Sequence, residues 1–203
     1  MSFLPSGVFR RIEKAYAAET GLTPRRVNVD GKLSSGGETL FNRPPLAAAR
    51  AAGLSESVRW GEPSLFFLLP NVLCWIMPVV RGNDVLGGIE GGAAVVDSDP
   101  YELIETVNHL AAAGCPRPRA EEAVRGLPVR DKEACRAAAA LLFDRTCREI
   151  PWSPDLLIRH RKRSEQQRQI AEEIHRRKRG DADRGLMEEE RVLLSLMKAG
   201  DVK

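Results

Sequence analysis

Two β-rich runs, VLCWIMPVV (72–80) and DVLGGIEGGAAVVD (84–97), follow one another with only RGND (81–84) between them, and this pairing constrains the fold more than any other feature. Gly82 and Asn83 can both take positive φ, so the runs are expected to form an antiparallel hairpin at the heart of a sheet. Two shorter stretches, SVRW (57–60) and SLFFLLP (64–70), share the enrichment in Val, Leu, Phe and Trp and are read as further strands. Side chains alternate across a strand, which sends Val72, Cys74 and Ile76 to one face and Leu73, Trp75 and Met77 to the other. Both faces are apolar and both must be covered. One cover is expected to be helical; the other is open to a ligand cavity lined by Trp60, Phe66, Trp75 and Met77, or to ordinary core packing of the same residues.

Around these runs the period changes to that of helices. Residues 5–19 place Val8, Ile12, Ala15 and Tyr16 on one stripe that ends at Gly21, and PPLAAARAA (44–52) reads as a short helix with proline at its start and Gly53 as its stop. From Asp99 a capped helix runs to Gly114, followed by a short helix in AEEAVRGLP and a long one over 130–149. Residues 155–179 read as one polar helix with a sparse stripe of Leu157, Ile158, Ile170 and Ile174, the kind that packs against a partner helix. A last amphipathic helix is expected in LMEEERVLLSLMKAGD (186–201), ended by Gly200. Helices, then strands, then helices make an α+β plan and not a chain of βαβ units.

With 43% hydrophobic and 29% charged residues in 203, the chain has the composition of a folded domain. Its formal net charge is only +3, yet the basic residues crowd into 159–179, interleaved with Glu and Gln; the segment reads as a solvated helix face or as a nucleic-acid contact. No apolar run reaches the roughly 20 residues of a membrane span, and the start MSFLPSG lacks a secretory pattern, so a cytoplasmic location without membrane association is expected.

Few residues invite chemistry. His109, His160 and His175 are not at metal-ligand spacing, and no nucleophile elbow or phosphate loop is present. Cys74, Cys115, Cys135 and Cys147 are far apart and read as buried, reduced thiols; Cys74 would need a nearby base or positive charge to become a nucleophile, and no neighbour in sequence supplies one. Catalytic residues, metal ligands and cofactors are therefore all expected to be absent, and the chain is read as a non-enzyme. Glycines 87, 88, 91 and 92 fall inside a strand, where the missing side chains let another body approach the backbone. They flank Glu90, a carboxylate that must face solvent at an edge or point inward to a polar ligand group or an arginine.

The stretch CWIMPVVRGNDVLGGIEGG resembles the sensor core of PocR-type and GAF-like ligand-binding domains, with Cys74, Pro78, Gly82, Leu86, Gly87, Ile89, Gly91 and Gly92 in the matching places. LPVRDKEACRAAAALLFDRTCREI is similar to the helix that closes such domains, and MEEERVLLSLMKAGD (187–201) resembles the connector that precedes the helix-turn-helix module of many AraC-family regulators. The resemblance implies a GAF/PAS-like central antiparallel sheet flanked by helices, with a long C-terminal signalling helix. It implies a sensory domain at 1–152, a signalling and dimerisation helix at 153–180 and a connector at 181–203, leading towards a DNA-binding domain that this chain lacks. The function expected on this basis is small-molecule sensing in a bacterial transcription regulator, with an effector of unknown identity, a homodimer, and ligand contacts from Trp60, Phe66, Cys74, Trp75, Met77 and Glu90. The rival readings are a dimerisation or scaffold module without ligand, a thiol enzyme using Cys74, and direct nucleic-acid binding through 159–179.

Overall fold

The computed structural model describes residues 4–34, 42–82, 84–150, 157–163, 165–172 and 174–176, and the chain divides into two units, Met1–Arg161 and Lys162–Lys203. The first holds helix α1 (Ser6–Thr20), strand β1 (Arg25–Val27), helix α2 (Pro44–Trp60), strands β2 (Ser64–Leu69), β3 (Val72–Arg81) and β4 (Asp84–Val95), and helices α3 (Pro100–Ala112), α4 (Arg117–Arg125) and α5 (Lys132–Glu149). Its last described residues, 157–161, are helical. In the second unit, residues 162–163, 165–172 and 174–176 are helical and the described side chains are exposed; the expected connector helix at 187–201 lies outside the described residues.

The four strands form one antiparallel sheet in the order β1-β4-β3-β2, so the fold is α+β with the expected hairpin at its centre. Gly82 takes φ 59° in that hairpin. The tighter β2–β3 connection turns on Asn71 at φ 61°, whose side chain bridges to Asp97: its Nδ2 donates to Asp97 O at 2.5 Å, and its Oδ1 accepts from Asp97 N at 2.7 Å. Asparagine is one of the few side chains that tolerates this left-handed backbone.

Alternation on β3 partitions the core as expected. Leu73, Trp75, Met77 and Val79 pack with Phe9, Ile12 and Tyr16 of α1 and with Cys135, Ala138, Ala139 and Leu142 of α5. Val72 and Cys74 face Leu46 of α2, Val107 and Leu110 of α3, and Ala120 and Val124 of α4, while Ile76 meets Leu54 of α2. Helices therefore cover both faces of the sheet.

Two expectations about local structure are corrected. Ser57–Trp60 is not a strand, and the helix begun at Pro44 does not stop at Gly53; both belong to α2, which ends at Gly61 in the left-handed conformation (φ 71°) with its N–H bonded to Ser57 O. The reason lies in packing. A Cβ on Gly53 would stand 2.6 Å from the Phe66 ring, so the residue that reads as a helix breaker is the point where α2 comes down onto β2.

β4 contains a bulge that shapes the site. Trp75 pairs with Gly92 and the next residue, Ile76, with Glu90, which leaves Gly91 as the extra residue. A Cβ on Gly91 would overlap the Trp75 indole and come within 2.9 Å of Tyr16 Oη. The bare backbone leaves room for Trp75 Nε1 to donate to Tyr16 Oη at 2.9 Å, deep in the core. Burial outweighs this bond and holds the Tyr16 phenol protonated, its pKa pushed up to about 12.

Candidate functional site

Ala94 and Gly92 share the α1/α5 face of the sheet, and strict alternation would put Glu90 there as well. The bulge at Gly91 turns it over. Glu90 emerges on the α2 face, fully buried, and its two carboxylate oxygens meet two arginines. Oε2 accepts from Nε of Arg50, itself 0% exposed on α2, and Oε1 accepts from Nη2 of Arg25 on β1 at 2.6 Å. Of the alternatives open for this carboxylate, the arginine one describes what is found. Two guanidinium groups satisfy both oxygens of a single buried charge, an arrangement that compensates the desolvation of the carboxylate. The cluster pins β1, only three residues long, and α2 to the centre of the sheet.

Cys74 lies on the same face and is fully buried. Its pKa is raised well above that of an ordinary thiol, first by desolvation and then by the Glu90 charge, with Arg50 and Arg25 pulling the other way. Burial also raises Cys135, and it pushes Cys147 up to about 11. Thiols of this kind stay protonated near neutral pH and are poor nucleophiles. Among the described residues no group of three or more His, Cys, Asp and Glu side chains could hold a metal ion, and no helix is long and apolar enough to cross a membrane.

Two clefts open on the surface of the first unit. One, about 350 Å³, lies between α3 and α4 at the end of β4 and is lined mainly by Leu103, Ile104, Val107, Val124 and Leu127. The other, about 540 Å³, lies between the outer side of α2 and strand β2, where Ala49, Ala52 and Gly53 form one wall and Phe66 and Phe67 the other, closed at one end by Trp60 and Glu62. The small residues of α2 make the space, and β2, an edge strand, supplies the aromatic rings. Trp60 Nε1 donates to Glu56 at 2.6 Å, which ties together two of the residues that line the groove.

The six residues expected to meet a ligand are thus not brought together. Trp60 and Phe66 share the α2–β2 groove. Trp75 and Met77 are 0% exposed in the core against α1 and α5, and Cys74 and Glu90 are 0% exposed on the opposite face; none of these four lines either cleft. The physical reason is that helices, not a cavity, cover each side of β3. Sequence reading missed Arg25, Arg50, Glu56, Glu62 and Phe67. A carboxylate inside an apolar strand signals that some cation must come to it, but the chain is rich in arginine and nothing local selects Arg25 and Arg50.

No protein-family model, curated protein or solved structure matches the chain.

Proposed function

We propose that this chain is the sensing part of a bacterial transcription regulator: a PocR- or GAF-like module that takes a small effector in the α2–β2 groove. Its signal leaves through the helix that contains residues 157–163, which serves in a homodimer, and DNA is read by a separate domain of the AraC type. One observation carries this reading: the groove and the exit helix are built on the same helical turns. Glu56 and Trp60 of α2 line the groove. Between and just after them, Val58 O accepts from His160 Nδ1 at 2.6 Å, and Gly61 lies so close to Leu157 O that any side chain there would collide with it. A ligand that prefers one position of α2 shifts the population of that position, and the 157–161 turn must follow. The protonated, buried thiols and the saturated Glu90 cluster support binding rather than turnover.

The measurement that tests this is a thermal-shift screen of the whole chain against small metabolites, repeated on Ala52→Trp, which fills the groove from an exposed helix position. A ligand bound only by the folded state raises Tm with concentration, and the rise is expected to vanish in Ala52→Trp. A flat response across a broad panel, with a dimer seen by light scattering, turns the conclusion to a dimerisation module. That second reading draws on β2, an edge strand without a charged residue whose Phe67 is 53% exposed, since free edges are normally blunted by charge or proline.

A further inference from the structure

We infer that the effector of the α2–β2 groove is an organic cation, an aryl- or alkylammonium ion; this rests on the groove being the ligand site. Among the described residues, the ionisable side chains that line the groove are the carboxylates Glu56 and Glu62, with the Arg59 guanidinium at the rim over Trp60. The two carboxylates differ. Glu56 is already engaged, accepting from Trp60 Nε1 at 2.6 Å and lying 3.6 Å from Arg59 Nη1. Glu62 is half-buried at the end of the groove and forms no ion pair with any described residue. A carboxylate partly withdrawn from water attracts a counter-ion more strongly than one on the open surface.

The rest of the lining suits the same guest. Trp60, Phe66 and Phe67 present aromatic rings to the space, and the negative face of such a ring attracts a cation. The chain itself does this at the rim: the Arg59 guanidinium carbon sits 5.3 Å from the centroid of the Trp60 ring. An ammonium group placed at Glu62, with its hydrocarbon part along Ala52, Gly53 and the phenyl rings, uses the charge, the rings and the apolar wall together. A carboxylate guest would meet two like charges, and a neutral one would leave Glu62 uncompensated. The volume of about 540 Å³ is in the range of small-ligand sites.

The test is isothermal titration of the full chain with three probes of one shape: 2-phenylethylammonium, 2-phenylethanol and phenylacetate. The ammonium ion is expected to bind about tenfold more tightly than the alcohol, with phenylacetate weakest. Glu62→Gln is expected to erase the preference for the ammonium over the alcohol, its folding checked by thermal melting. In the unaltered chain, rising salt is expected to weaken the ammonium, leave the alcohol unchanged and, if anything, help phenylacetate, because salt screens attraction and repulsion alike. If the alcohol or the acid binds as tightly as the ammonium, or if salt leaves ammonium binding untouched, the cation inference is overturned while the groove remains a ligand site. If none of the three binds, the cation inference is overturned and the groove as a ligand site stands or falls by the metabolite panel; if binding survives Ala52→Trp, both fall.

Discussion

Glu90 shows how a single residue can be conspicuous in a sequence and still be resolved only by the fold. A charge amid VLGGI and GGAAVV demands a partner, and that demand is legible from the residues alone. Its partners are not, because Arg50 lies 40 positions away and Arg25 65 positions away, and because the face on which Glu90 emerges depends on one unpaired glycine. The cluster makes a specific prediction. Glu90→Leu leaves the Arg50 charge buried without its carboxylate and is expected to lower stability by about 3–5 kcal/mol in urea unfolding. The double variant Arg50→Met with Glu90→Leu removes both fully buried charges and is expected to recover most of that loss. A double variant no more stable than Glu90→Leu would show that side-chain shape, not charge, governs the site.

At the scale of elements, α2 does the most and was the least legible. Its N-terminal half reads clearly from proline and a run of alanines, but Gly53 and the aromatic Trp60 both argued for a change of structure that does not occur. Glycine in a helix interior is destabilising by roughly 1 kcal/mol relative to alanine, so retaining it implies that something occupies the space of the missing methyl. Here that is the Phe66 ring. The expectation is a sign reversal: Gly53→Ala destabilises the chain when Phe66 is present, but is neutral or stabilising in a Phe66→Leu background, where the helix-propensity gain remains and the collision is gone. Thermal melts of the four variants in this cycle decide it, and additive effects would show that helix and ring are not in conflict. The hairpin is the opposite case. Strand-forming runs on both sides of a four-residue connection leave few alternatives, and β3 and β4 pair where the pattern places them.

For the whole molecule, the decisive feature is where the first unit ends. Residues 155–179 read as one thin, polar helix separate from the core, yet Leu157 is 0% exposed and packs in the same cluster as Trp75 and Leu142. Leu157 therefore belongs to the core of the first unit, while Ile158 beside it is exposed, and Leu157→Ala is expected to cost about 2–5 kcal/mol in global unfolding. A loss below about 1 kcal/mol, the scale of a surface substitution, would mean that the turn is only loosely attached and would count against the proposal that a signal leaves through it. The sequence by itself determined the α+β class, the central hairpin, both apolar faces of β3 and most helix positions, because these follow from periodicities and turn residues within a few positions of one another. The tertiary structure decided which arginines reach Glu90, that helices and not a cavity cover both faces of the sheet, and that accessible clefts lie between α2 and β2 and between α3 and α4. Those outcomes depend on a bulge, a close approach at Gly53 and contacts between residues tens of positions apart, where burial of the whole chain outweighs any local preference.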